Sequence, residues 1–498
     1  TSPAFKPLVG MFAWLFGMNG VRGLAGFSVV LAVLALTLLS THGFLQPAGA
    51  VGVGVVWVGY SDPSSGDDGA QSTCYVGGVV LVFGFDSSPG DFQFRVEARD
   101  AGSGGVLAIW THNPGAGNET LVDCAVSGGY AYVAGATVVT QVSLAALPKA
   151  YALRVDPGLR DVRVKDLGWI GMATSVAASG GRIYVGGGDL SLSELRLVFR
   201  VDKLDGDLSR VSSYRSSGLS GHHLIASSLA FNSVTGHLWA VGVAVNDTGR
   251  RWWVEVIDPS SMTLVKQVDP KVPGVATAVF SDGDGYVYVL GDEGYIVKFN
   301  YNGDIVARVE LKGASLMKGS LVGDMLIVAG HERSGGYYRH VVYLLDRSLN
   351  VLAKSYLSEG IQADSYLGPG KLWVNGSRVY IAGFDRQPGN YRWAVYALEV
   401  RGLTQTVTTT TTVTATQTIT STFTTTATAT VTATRTTTAT VTSTATTIST
   451  TTATTTVRET QTITSTLTTT TTQTATTTAT VTVREPVTIV ETVTTRVT

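Results

Sequence analysis

Between residues 51 and 402 the chain alternates apolar with small or polar positions in short runs separated by glycine-rich turns, and one run keeps returning. Residues 180 to 188 read GGRIYVGGG. Paired glycines permit positive φ in a tight connection, and Ile183, Tyr184 and Val185 are β-formers that suit a sheet. Related runs are GGVVLVFG (77 to 84), GGYAYVAG (128 to 135), TGHLWAVG (235 to 242), DGYVYVLG (284 to 291), GDMLIVAG (323 to 330) and GSRVYIAG (376 to 383). A turn feeding a strand, repeated seven times, signals an array of similar units.

The last glycines of these runs are Gly84, Gly135, Gly187, Gly242, Gly291, Gly330 and Gly383, spaced by 51, 52, 55, 49, 39 and 53 residues. Periods of about 40 to 50 residues with several short strands per unit predict a β-propeller, and no run shows the 3.6 spacing that helical repeats need. A second apolar run in each unit ends in an acidic residue or Asn: at Asp100, Asp156, Asp202, Asp258, Asn300, Asp346 and around Glu399. Turn signals follow several of them, as in Asp156-Pro157-Gly158, Asp205-Gly206, Asp258-Pro259 and Asn302-Gly303. Each unit therefore predicts four strands: inner, motif, third and outer edge.

The seventh unit has an inner strand (KLWV), a motif strand (RVYIAG) and a third strand (RWAVYALEV), after which a threonine tail begins. The run VGVGVVWVGY, residues 51 to 60, precedes the first unit and belongs to none. Pairing the two closes a ring with only short protected edges. The expected fold is all-β: a seven-bladed β-propeller of four-stranded blades, its ring closed by the N-terminal strand, followed by a low-complexity Thr-rich tail.

GGRIYVGGG is similar to a kelch strand, and DGYVYVLGDEGYIVKFNYNGDIV resembles a YVTN or pyrroloquinoline-quinone-type blade. The resemblance covers residues 51 to 402 and implies the propeller fold. The recurring Trp docking motif and adjacent cysteines expected of quinoprotein enzymes do not occur, so the family activities are not carried over.

Composition divides the 498 residues into three zones: 1–50, 51–402 and 403–498. Lys plus Arg is 36 against 37 for Asp plus Glu, which leaves no field to draw the chain to nucleic acid or another polyanion. In the first zone Arg22 precedes the apolar run 24–39, and Ala48-Gly49-Ala50 follows, the order of a signal peptide. At 16 residues the run is shorter than the roughly 20 that span a bilayer. Cleavage after Ala50 is one reading; an uncleaved N-terminal membrane segment, supported by the apolar stretch 11–18, is the other. Residues 1–17 also read as sequence upstream of a start at Met18. Either way the expected location is extracellular or cell-surface.

More than half of the last zone is Thr, alternating with Val, Ala, Ile and Ser. Such a tract lacks the large side chains that offset ordering entropy, which predicts an O-glycosylated stalk or disordered linker. The alternation also suits strands, so β-pairing is the other reading. A signal segment, a β-domain and a Thr tract together resemble surface proteins of hyperthermophilic archaea. Those finish with a hydrophobic anchor and a charged end, whereas this chain stops at Arg496-Val497-Thr498. Truncation, release, or retention by the N-terminal segment would each account for that, and membrane association is expected only through that segment or a missing C-terminal anchor.

Cys74 and Cys124 stand at similar places in successive units. Outside the cell they fit a disulfide; two small buried side chains are the alternative. Sequons begin at Asn118, Asn246 and Asn375, all expected in loops.

In a four-stranded blade the loops joining strands two to three and four to the next blade's first share one face, and here they are the longer ones. They carry Asp67, Asp68, His222, His223, Arg250, Trp252, Trp253, His331, Glu332, Arg333, Asp385 and Arg386, the expected ligand-binding face. Against that stands a plainer reading of solvated charges, with one core and one surface ring for Trp252 and Trp253. His222-His223 lacks a third metal ligand, and Asp282-Gly283-Asp284-Gly285 reads as a turn, not a calcium loop. No catalytic residue, metal or cofactor is expected. The expected function is a binding, adhesion or envelope-organising module with an extracellular protein or glycan ligand. The alternative is an extracellular quinoprotein-dehydrogenase-like or polysaccharide-lyase-like enzyme working in the central funnel, which alone would call for Ca²⁺ or a quinone.

Overall fold

The computed structural model describes residues 51–115, 117–138, 147–358, 360–387 and 389–402, together with the backbone of four strands between residues 407 and 483. The signal or anchor segment, residues 1–50, lies outside the described residues. The chain divides into two units, Thr1–Leu403 and Thr404–Thr498. Among the described residues every regular element is a strand.

In the first unit the strands Gly69–Val76, Val79–Asp86, Gln93–Asp100 and Val106–His112 form one antiparallel sheet in chain order. The same up-and-down order recurs in the sheets that begin with His223–Phe231, Ala276–Ser281 and Ala314–Val322. A seven-stranded sheet from Asn118–Ser127 to Arg210–Arg215 is continuous because one 18-residue strand, Val162–Ser179, pairs first with Lys149–Val155 and then with Arg182–Ser191. In the last sheet Ser365–Tyr366 and Trp373–Asn375 both pair with Arg378–Asp385, which leads to Arg392–Arg401 and then to Gly52–Ser61. Inner strands pack one on the next, and Gly69–Val76 packs on Arg378–Asp385, so the sheets close into a β-propeller.

Chain-end pairing runs from Gly52↔Arg401 to Ser61↔Trp393, as the unassigned run at residues 51–60 predicts. Side chains secure it. Trp57 Nε1 donates to the Ala101 carbonyl at 3.1 Å, and Ser61 joins the buried Arg99–Glu97 pair at 2.7 and 3.0 Å. Ala70, Val80 and Val82 of the first sheet pack with Tyr380, Ala382 and Trp393 of the last.

The motif's terminal glycine has one recurring cause. Opposite Gly84, Gly135, Gly187, Gly242, Gly291 and Gly330 the inner strand carries a one-residue bulge, at Gln71, Val122, Thr174, Ser227, Thr277 and Met317. A bulge pushes its backbone toward the partner strand. A Cβ at Gly84, Gly187, Gly242 or Gly330 would stand about 2 Å from the carbonyl oxygen of Gly69, Met172, Ile225 or Ser315. Bulge residues also link units: Thr174 Oγ1 donates to the Ala226 carbonyl, and Thr277 Oγ1 to the Leu316 carbonyl at 2.7 Å.

Opposite Gly383 the bulge has grown into a loop. The expected inner strand KLWV is split, and residues 367–372 leave the sheet to cross the centre of the ring. Gly370 lies against the Val122 carbonyl and Ser72, and Gly368 against the Gln71 side chain. Lys371 N–H donates to Ser72 Oγ and Asp123 Oδ1, both at 3.1 Å, while its Nζ reaches Asp123 Oδ2 at 3.1 Å and the Val176 carbonyl. From the opposite side Lys318, wholly buried, donates to the carbonyls of Pro369 (3.2 Å), Gly370 (3.3 Å) and Gln71. One loop thus binds four inner strands.

The acidic residue ending the third strand caps the next turn. Asp156, Asp258, Asn300 and Asp346 each accept backbone N–H bonds from residues two to five positions on. In the unit expected to use Asp202 the cap is Asp205, which accepts from Asp207 and Ser209. Asp202 instead sits wholly buried one turn earlier, bonded to Trp169, Arg200 and Arg210.

Cys74 and Cys124 are bonded to each other across the first two inner strands, their Cα atoms 6.2 Å apart. The expected one-core, one-surface pairing of Trp252 and Trp253 does not hold. Both are buried, because both faces of a sheet inside the ring are covered by neighbouring sheets.

In the second unit Val407–Thr422, Thr430–Thr442, Thr450–Thr462 and Thr474–Val483 form an antiparallel sheet with Val407–Thr422 paired on both edges.

Gly242→Ala should lower the free energy of unfolding by about 1–3 kcal/mol in denaturant titrations, because its Cβ would meet the Ile225 carbonyl at 2.0 Å. Gly283→Ala, where nothing lies within 4 Å, should be nearly neutral. Replacing both cysteines by serine should cost about 4 kcal/mol for this 50-residue separation, read in the same titration.

Candidate functional site

Loops of the last two sheets gather a cluster of rings on the long-loop side. His331 belongs to Met325–Ser334, Tyr338 to Tyr337–Leu345, Tyr366 to Ser365–Tyr366 and Phe384 to Arg378–Asp385, while Tyr391 ends the loop after it. His331 meets Tyr338 and Tyr366 edge-on at 5.8 and 5.1 Å, Tyr338 lies 5.2 Å from Tyr366, and Tyr391 lies 6.2 Å from Tyr366 and 5.1 Å from Phe384. The Arg386 guanidinium stands 4.9 Å over the Tyr391 ring.

Hydrogen bonds hold these segments in place. Asp364 Oδ1 accepts the Tyr338 N–H at 2.9 Å, and its carbonyl accepts the Arg386 N–H at 3.0 Å. The loop at residues 62–68 closes the far edge: Tyr391 N–H donates to Asp67 Oδ1 at 3.1 Å, and Asn390 Nδ2 to the Gly66 carbonyl at 2.5 Å.

Of the expected face residues, His331, Asp67, Asp385 and Arg386 meet here. Asp68 and Asp385 are buried supports, not contacts for a ligand. Asp68 accepts from Ser64 and Ser87, and Asp385 from Gln387 N–H at 3.0 Å and Arg392 at 3.1 Å. Glu332 points across its strand to Lys354, Tyr343 and Tyr356 at 2.9, 2.5 and 2.9 Å, as period-two alternation beside His331 requires. Arg333 is exposed.

The remaining candidates stand in other sheets. His222 pairs with Asn246 Nδ2 at 3.0 Å, and His223 Nδ1 accepts the Leu197 N–H at 3.1 Å. Arg250 lies 3.4 Å from Asp292 and 3.5 Å from Glu293. Trp252 has no exposed surface and packs against Gly291, which removes it from the face. Asp282 Oδ1 accepts from Asp284 and Tyr286 N–H, as a turn would have it.

The sequons lie at strand ends and not within loops. Asn118 begins a strand and accepts from Phe92 N–H, Asn246 ends one and caps Thr248 and Gly249, and Asn375 ends one in an exposed position.

The rings of Tyr338, Tyr366, Phe384 and Tyr391 and the carboxylate of Asp364 were not among the expected face residues. Their signal was aromatic residues at the margins of HERSGG and FDRQPGN, where polar loop residues drew attention first.

A second feature lies at the ring's centre. A cavity of about 550 Å³ is lined largely by the C-terminal halves of the inner strands, among them Asp123, Ser228, Ser281 and Ser320, with Lys371 of the crossing loop and Trp373 just after it. Those strand ends lead into the diglycine turns, so the cavity lies on the face opposite the long loops. None of the expected face residues lines it. Among the described residues no three His, Cys, Asp or Glu side chains gather as a metal site would need.

Burial sets the charge states. It pushes the Lys318 ammonium down to about 7, and the His331 and His340 imidazoles down to about 4 and about 3. Burial, with Asp91 adding to it, raises the Glu119 carboxyl to about 8. His340 has no exposed surface and lies 3.0 Å from the Tyr396 hydroxyl.

No family model matches the chain, and no curated protein matches it. Among solved structures it is similar to Raptor of Chaetomium thermophilum, with a TM-score of 0.46 and 12% identity over 71% of this chain and 29% of that one. The chain therefore spans less than a third of that protein's length.

An imidazole that stays neutral in the fold binds no proton until well below its ordinary value of 6.5, whereas the unfolded chain binds one. His340 thus contributes stability above about pH 6.5 that is lost as pH falls toward its folded value. Melting curves of His340→Gln between about pH 7 and pH 4.5 should fall less steeply on the acid side than those of the parent.

Proposed function

We propose that this chain is a seven-bladed propeller displayed outside the cell that serves as a binding, adhesion or envelope-organising module. Seven units follow from counting the seven-stranded sheet as two and completing the last sheet with Gly52–Ser61. The apolar run at 24–39 supports export, and the Thr-rich tract supports presentation on a stalk. Its partner is an extracellular glycan or protein, met on the long-loop face.

One observation carries this reading: residues 367–372 cross the centre of the ring and the cavity left there lies toward the face opposite the long loops, while partly exposed rings and charges gather at the loop-face junction of the last two sheets. Recognition by loops on a rigid ring suits that arrangement. The funnel-enzyme alternative requires an open centre on the long-loop side.

Immobilised full-length chain incubated with solubilised cell-envelope glycans and proteins should retain a component identifiable by mass spectrometry. Retention should fall with Arg386→Ala and persist with Ser320→Arg, which obstructs the central cavity. Failure to retain anything, or loss with Ser320→Arg alone, would remove the support for a loop-face binding module.

A further inference from the structure

We propose that Tyr338, Tyr366 and Tyr391, with Asp364 and Arg386, form a subsite for pyranose rings of a neutral glycan. This deepens the binding-module reading and rests on it. A pyranose presents C–H faces that lie on aromatic rings and a rim of hydroxyls that both donate and accept, so a site for it needs flat apolar surface beside one acceptor and one donor group.

All three requirements meet here. Tyr338 is 38% exposed and Tyr366 and Tyr391 are half-buried, so each keeps part of its surface open to solvent. Tyr338 and Tyr366 lie 5.2 Å apart with their planes 37° from parallel, a shallow apolar trough for one sugar ring, and Tyr391, 6.2 Å from Tyr366 and 71° from its plane, stands as a wall beside it. Asp364 spends one carboxylate oxygen on the Tyr338 N–H and keeps the other as an acceptor, and the exposed Arg386 supplies planar N–H donors. The patch is also preorganised: the backbone bonds from Tyr338, Arg386 and Tyr391 to Asp364 and Asp67 fix the three segments before any ligand arrives.

Two further observations favour a neutral sugar over other small ligands. Arg386 over Tyr391 sets a fixed positive charge at one ring face, which opposes a quaternary ammonium in an aromatic cage. Asp364 and Asp67 beside that guanidinium deny a polyanion a positive surface. Beneath Tyr338 and Tyr366 the His331 ring supplies the floor, its Nδ1 buried without a hydrogen-bond partner. With its imidazole pushed down to about 4 it stays uncharged, so binding should be unchanged from about pH 5 to about pH 8.

The test is native affinity electrophoresis of the full-length chain in gels containing yeast mannan, dextran or laminarin, with polygalacturonate and free choline as comparison probes. At least one neutral polysaccharide should retard the parent. Tyr338→Ala and Tyr391→Ala should each weaken that interaction about tenfold or more, and Tyr338→Phe should stay within about threefold. Melting curves of each variant confirm that it folds.

Retardation by none of the neutral polysaccharides, binding of polygalacturonate or choline alone, or Tyr338→Ala binding like the parent would each overturn the subsite. Envelope retention that survives Tyr338→Ala while no polysaccharide binds would overturn the sugar subsite and leave the binding module standing. Loss of retention with the cavity-obstructing Ser320→Arg would instead overturn the module reading itself.

Discussion

A glycine facing a bulge is the contact on which this ring depends. At Gly84, Gly187, Gly242 and Gly330 the bulged inner strand drives a carbonyl toward the motif strand until only a hydrogen can stand opposite, whereas at Gly291 the Trp252 indole takes that space. The bulge twists the inner strand and turns one residue per sheet out of the regular alternation. Thr174 and Thr277 use that position to bond the next sheet's backbone, so the irregularity that demands glycine also couples neighbours.

The last sheet carries the same device to its limit. Opposite Gly383 the extra residue has become residues 367–372, and the loop takes the space that a closed ring of sheets leaves at its axis. Lys318 and Asp123 hold it from opposite sides, one saturating its carbonyls, the other its N–H and the Lys371 ammonium. A buried lysine bonded to three carbonyls is a costly group, and its pKa near 7 records the penalty of desolvation.

Much of this was legible because repetition multiplies weak signals. One glycine turn before Ile183 means little, but seven glycine-bearing turn–strand runs at blade spacing imply an array, and the orphan run at 51–60 with the short seventh unit implies closure, which the Gly52↔Arg401 register shows. The site was legible only in part. The placing of His331, Asp67, Asp385 and Arg386 at the long-loop end of their sheets could be read, whereas Glu332 and Trp252 turned away because alternation and burial on both sheet faces depend on neighbours distant in sequence. The crossing loop escaped notice because Leu-Gly-Pro-Gly reads as an ordinary turn and Lys371-Leu372 as the start of the strand KLWV.

What the chain's sequence alone determined was local and periodic: strand identity, turn positions and most of the acidic caps, since each follows from φ preferences and alternation within a few residues. What only the tertiary structure decided was long-range. The meeting of Tyr338, Tyr366 and Tyr391 from separate segments, the face on which the cavity lies, and the passage of residues 367–372 through the axis all depend on which sheet stands beside which. Pairing and packing across hundreds of residues set that, and no local propensity encodes it.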